Sequence, residues 1–160
     1  MAVKNIVVSL AGAPASLVTA KYAIYLAKIL QAKLTAVYVV NEKILQELFK
    51  SRIFVEVEVR VYERDLEEQG RLFLERVKKM AANKTVECEG VLLRGTVHTE
   101  VVNKARELCA DILVMGELKE MLSRKEIFYD EGERIFREAT CPVIVVKNPA
   151  EVERLYKELI

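Results

Sequence analysis

The chain has no tryptophan, one histidine, three prolines and three cysteines in 160 residues, and each shortage excludes something. Cys88, Cys109 and Cys141 are widely spaced and each lies in apolar sequence, so neither a disulfide framework nor a zinc cluster is expected. They are read as buried thiols in a reducing cytoplasm. There is no Cys-x-x-Cys, no G-x-S-x-G elbow, no Walker loop and no metal-spaced set of His, Asp and Glu, which removes the common nucleophilic and metal chemistries. Charge of one sign is also missing. At a net +1, no strong field draws the chain to nucleic acid or to an anionic membrane. No apolar run approaches the ~18 residues of a membrane span, and "MAVKNIVVSL" is too short in its apolar part for a signal h-region. A soluble cytoplasmic protein is the expectation. Aspartate is scarce too, three of 24 acidic residues, a glutamate bias found in proteins of hot-living organisms.

What is present is apolar and orderly. With 52 % hydrophobic and 31 % charged residues, the length suits one compact domain with a sizeable core. Val, Ile and Leu gather in strand-length runs at 5–10, 34–40, 86–93, 111–116 and 141–146, mostly without the polar alternation of a half-exposed strand. Helical stripes lie between them: Leu17, Ala20, Ile24, Ala27 and Leu30 in one, Val101, Val102, Ala105 and Leu108 in another. This order predicts an α/β fold, a single doubly wound five-stranded parallel sheet with helices on both faces, Rossmann-like, with any ligand at the carboxyl ends of the strands.

Segment 53–82 carries two patterns. Ile53, Val55, Val57, Val59 and Val61 alternate as in a strand, whereas Val55, Val59, Tyr62, Leu66, Phe73, Val77 and Met80 form a helical stripe. The longer register favours one helix, which Gly70 should weaken by roughly 1 kcal/mol, with a β-ribbon arm at 53–61 as the competing reading. At the other end, Asn148 as N-cap, Pro149 and Glu151 begin a helix with Val152, Leu155, Tyr156 and Leu159 on its apolar side. It is expected to pack on the domain or on a dimer.

The opening strand and helix, "GTVHTEVVNKA" (95–105), "ADILVMG" (110–116) and "ATCPVIVVK" (139–147) together resemble the universal stress protein family over nearly the whole chain. The resemblance implies an adenine nucleotide alpha hydrolase-like fold, a stress-response domain at 1–147 and a helical extension at 148–160. Relatives that bind ATP resemble G, two residues, G, nine residues, then G with Ser or Thr, and carry an Asp after the first strand. Here the chain departs from them. The Asp position is Ala11, followed by Gly12; the second glycine is Lys119; the Gly-Ser pair is Tyr129-Asp130. Val39, Gly95 and Gly116 remain at pocket positions.

A helix N-terminus attracts phosphate through free N–H groups and partial positive charge. In "DEGE" the chain is expected to supply its own anion, with Asp130 as N-cap and Glu133 completing a capping box. The degenerate pocket is therefore expected to be empty and no cofactor is expected, the alternative being ATP or AMP in a nucleotide-binding regulator or weak ATPase with a rebuilt loop of Lys119, Arg124 and Lys125. His98, beside Thr96, Thr99 and Glu100, is read as a polar residue at a helix start rather than as a catalyst, and no catalytic residue or metal ligand is assigned. Val143, Ile144, Val145 and Val146 form a final strand with no charge guarding it. They are expected to join two copies into a homodimer, which would engage a further protein partner but neither nucleic acid nor a membrane.

Overall fold

A computed structural model describes residues 3–12, 14–51, 55–116 and 125–160, with 43, 44 and 125–130 as backbone only. The elements are β1 (Asn5–Leu10), α1 (Ala15–Leu30), β2 (Lys33–Asn41), α2 (Glu42–Lys50), α3 (Glu56–Asn83), β3 (Cys88–Gly95), α4 (Val97–Glu107), β4 (Ile112–Met115), α5 (Lys125–Glu138), β5 (Val143–Val145) and α6 (Pro149–Glu158). The five strands are parallel in the order β3-β2-β1-β4-β5, so the strand sequence reverses between β1 and β4. This is the doubly wound sheet that the alternating runs predict.

The central strands β1, β2 and β4 are largely apolar on both sides because each face is covered, whereas the edge strand β3 exposes Glu89 and Arg94. Ile6, Val8, Leu34, Ala36 and Tyr38 pack with Ala20 and Ile24 of α1, Leu74 and Val77 of α3, and Val152 of α6. Val7, Val37, Val39, Leu113 and Met115 pack on the other face with Val101 and Ala105 of α4 and Ile135 of α5. β1 and β2 run through the middle of both layers, which explains the absence of polar alternation there.

Segment 56–83 is one helix of 28 residues, so the helical stripe prevails over the strand alternation, whose Ile53 lies outside the described residues. Gly70 has a packing role: a Cβ there would lie 2.8 Å from Leu92 Cδ1 of β3 and 2.8 Å from Tyr38 Cδ1 of β2, so its missing side chain lets α3 settle on the sheet. α2 was not foreseen. It follows β2 directly and is tied by Arg94, at the end of β3, whose guanidinium reaches Glu42 of α2 at 3.3 Å and Glu63 and Glu67 of α3 at 2.5 and 2.9 Å. The C-terminal helix packs on its own domain. Asn148 accepts from the Glu151 N–H at 3.3 Å as the expected cap, Lys21 pairs with Glu153 at 2.7 Å, and the Tyr156 hydroxyl donates to the Met80 carbonyl at 3.2 Å.

One expectation about the thiols fails. Cys88 and Cys141 are half-buried, but Cys109 is exposed. Its φ of 54° places it in the left-handed turn that ends α4, with its N–H on the Arg106 carbonyl at 3.1 Å. An apolar neighbourhood in sequence does not bury a residue whose backbone occupies a helix-terminating turn.

Candidate functional site

The switch point lies where β1 and β4 run side by side and their onward connections leave to opposite faces, opening a crevice at the carboxyl ends of the strands. Ala11 and Gly12 follow β1, and Gly116 follows β4. Val39 sits near the end of β2 and Gly95 ends β3. The topology thus brings five of the expected pocket residues to one end of the sheet. Lys119 and Arg124 lie outside the described residues, so the alternative basic loop is not part of this geometry.

The first turn of the crevice is closed on itself. The Ala11 N–H donates to Ser16 Oγ at 3.0 Å, which satisfies a donor at the mouth of α1. Gly12 has φ +78° and lies over the Tyr38 ring, where a Cβ would fall 2.7 Å from the phenol oxygen. Burial pushes the Tyr38 phenol above its usual range, which keeps it neutral. Gly95 has φ +140°, and a Cβ there would lie 3.1 Å from Glu100 Cγ and 3.3 Å from Glu100 Oε2. A carboxyl group therefore leans on the turn between β3 and α4.

The expected cap at Asp130 is corrected. α5 begins at Lys125, which places Tyr129 and Asp130 inside the helix as its fifth and sixth residues, and a residue with helical neighbours on both sides cannot be an N-cap. Self-capping occurs one residue later and on another helix. Glu131, 6 % exposed, accepts from the backbone N–H of His98 at 2.7 Å through Oε2, and the same oxygen lies 2.7 Å from His98 Nδ1. His98 is the second residue of α4 and is itself 9 % exposed. His98 is thus a polar residue at a helix start, as expected, but its partner comes from another helix. Thr96 occupies the N-cap without a side-chain bond, and Glu131 supplies from α5 the anion that the start of α4 attracts. Glu138 Oε2 approaches His98 Nε2 at 3.8 Å from the rim.

Glu131 was missed in the sequence although a signal was present. It stands four residues before the buried Ile135, on the inward side of α5, where an apolar residue is the ordinary occupant. Among the described residues no group of three or more His, Cys, Asp or Glu is placed to hold a metal, and no helix is long and apolar enough to cross a membrane.

A five-stranded parallel sheet in this order, with a switch point between β1 and β4 and a C-terminal helix closing one layer, defines a doubly wound α/β protein of the universal stress type. The chain belongs to the universal stress protein family, whose model matches residues 2–147. It is 34 % identical over 146 residues to universal stress protein MJ0531 of Methanocaldococcus jannaschii, covering 91 % of this chain and 83 % of that one. UspA of Lactobacillus plantarum superimposes with a TM-score of 0.75 at 17 % identity, over 92 % of this chain and 99 % of that one. A universal stress protein of Archaeoglobus fulgidus in complex with dAMP does so at 0.62 and 15 % identity, over 92 % and 100 %.

Proposed function

We propose that this chain is a cytoplasmic regulatory member of the family that acts by association. Two copies pair through β5 and engage a further protein, and ATP is excluded from the crevice. The observation that carries the reading is the buried Glu131 carboxylate at the start of α4. A carboxyl group there already occupies donors that would attract an anion, which disfavours an incoming triphosphate. The extent of α5 supports it, because Tyr129 and Asp130, at the positions where ATP-binding relatives resemble Gly-Ser, lie inside the helix rather than before its first turn.

A second reading has one observation in its favour. The Archaeoglobus fulgidus relative was solved with dAMP, a ligand with one phosphate rather than three. A monophosphate needs fewer of those donors, so a nucleotide-sensing regulator is the alternative, as is a weak ATPase.

Calorimetric titration separates these readings. ATP and dAMP are both expected to give no binding heat at 100 µM protein, on the order of the concentration that detects a millimolar-range Kd poorly and a micromolar one clearly. Micromolar ATP affinity, or nucleotide retained through purification, overturns the proposal; micromolar dAMP affinity alone selects the second reading.

A further inference from the structure

α3 is one helix in its hydrogen bonding and two in its packing. Its buried residues are Val59, Gly70, Leu74, Val77 and Ala81, so four of the five stand at or after Gly70. That second half lies on the sheet, with Leu74, Val77 and Ala81 in the core and Leu74 close over Gly90 of β3. The first half, residues 56–69, buries Val59 alone and leaves Val57 and Val61 69 and 52 % exposed. Helices in proteins owe most of their stability to packing, so the first half is the weaker one. α2 is as lightly seated, Leu45 being the one buried residue among its described side chains. Leu45 and Val59 share a groove of about 370 Å³ with Glu63 and Arg94, so the two helices and the sheet edge do not close on one another.

The boundary between the halves is held still. One edge of the Tyr38 ring, Cδ1 and Cε1, fills the space at Gly70, and the opposite edge, Cε2 with the hydroxyl oxygen, fills the space at Gly12. Tyr38 is wedged between two glycines, and Gly70 therefore rests on a fixed ring. Glycine is also where a helix interior most readily gives way.

What ties the first half down is Arg94, near the end of β3. Each of its three guanidinium nitrogens meets a different carboxylate: Nη2 meets Glu63 at 2.5 Å, Nη1 meets Glu67 at 2.9 Å, and Nε meets Glu42 of α2 at 3.3 Å. Glu63 and Glu67 stand one turn apart on one side of α3, so a single side chain from the sheet grips both helices. We propose that α2 and residues 56–69 of α3 form an arm that opens from the sheet about Gly70, uncovering Leu45 and Val59, and that Arg94 is its ionic latch. The trigger is salt. Arg94 is 43 % exposed and its α3 partners 28 and 29 %, so dissolved ions reach and screen these pairs, whereas salt does not weaken the apolar contacts of residues 70–83. Opening depends neither on association through β5 nor on what the crevice holds.

Hydrogen exchange of the full chain, read by mass spectrometry as protection relative to intrinsic rates, tests the latch in about 50 mM and about 1 M NaCl. In the lower salt, amides 60–68 should exchange about tenfold or more faster than amides 74–82, as separate opening units do. E63Q/E67Q keeps the side-chain shape and removes the charge. It should speed 60–68 about fivefold and change 74–82 by less than about twofold, on the order of what two partly exposed ion pairs supply. E58Q/E68Q removes the same charge from positions that Arg94 does not pair with, and should leave 60–68 within about twofold of the native chain. Raising the salt should speed 60–68 in the native chain by nearly the factor that E63Q/E67Q gives, and should add less than about twofold in E63Q/E67Q itself. Circular dichroism checks that each variant keeps its helices. Exchange at one rate from 60 to 82, an E63Q/E67Q chain that behaves as the native one, an equal effect from E58Q/E68Q, or an undiminished salt effect in E63Q/E67Q would each overturn the latch.

Discussion

Glu131 Oε2 lies 2.7 Å from both the backbone nitrogen and the Nδ1 of His98, so one carboxylate oxygen on α5 holds the first turn of α4 and its only imidazole together. Both residues are buried, and the bond to the backbone N–H is charge-assisted. Replacing Glu131 with Ala leaves a buried donor without its acceptor and should cost about 2 to 3 kcal/mol. Glu131→Gln keeps the shape and should cost about half of that. Urea denaturation of both variants checks the order.

A second expectation concerns the edge at β5. The Pro142 carbonyl accepts from Leu113 N–H at 2.9 Å, and Val146 N–H donates to the Met115 carbonyl at 2.8 Å. Alternation along a parallel ladder then directs the Val143 and Val145 N–H groups away from β4, to the free side. Val145→Pro removes an outward donor while sparing the pairing with β4. Two such losses in a symmetric dimer, at about 1 kcal/mol each, should raise the Kd for association through β5 about thirtyfold. Sedimentation equilibrium at low micromolar concentration measures it.

Cys109 should react with a maleimide first. It is exposed, whereas desolvation pushes the Cys88 thiol up to about 11 and also raises Cys141. At pH 8 the Cys88 thiolate is on the order of a thousandth of the population, so its labelling should wait for local opening. Mass spectrometry at short reaction times gives the order. Because Cys109 occupies a left-handed φ of 54°, Cys109→Gly should also stabilise the protein by about 1 kcal/mol.

Gly70→Ala should destabilise, against the preference of a helix interior for alanine. The gain in propensity is about 1 kcal/mol, but the new methyl would press on Tyr38 and Leu92 at 2.8 Å, and overpacking costs typically about 1 to 3 kcal/mol. A net loss of about 1 kcal/mol is expected in denaturant titration. Gly70→Ala with Leu92→Ala should lose less than the sum of the two single changes.

Acid should weaken the start of the sheet through Asp111. Its Oδ2 accepts from Lys4 N–H at 2.8 Å and Asn5 N–H at 2.9 Å, and the Asn5 bond, followed by the Lys4 bond, holds its carboxyl below the ordinary 3.8. A carboxyl depressed on folding contributes stability that is fully present above its unfolded pKa and lost as pH falls through the folded one. Asp111→Asn should therefore melt at a lower temperature than the native chain at pH 7. The difference should shrink below about pH 4 and vanish nearer pH 2.

The alternation of strands and helices apart from α2, the parallel sheet and the cap at Asn148 were legible in the sequence because they depend on local rules: apolar runs of strand length, stripes of helical period, and an Asn-Pro-x-Glu start. The departures from the pattern of ATP-binding relatives, at Ala11 and Tyr129-Asp130, are visible as residue types. α3 was legible as well, since a register sustained over 28 residues outweighs five alternating ones. What remained hidden needed two distant segments at once. Glu131 gains its role only when α5 is laid on α4, 33 positions earlier in the chain; Gly70 serves packing only where Tyr38 and Leu92 press on it; and Arg94 draws in Glu42, Glu63 and Glu67 from two helices. Local preference decides which elements form. Their packing decides which charge is buried and which donor it satisfies, because desolvation and hydrogen bonding act between neighbours in space.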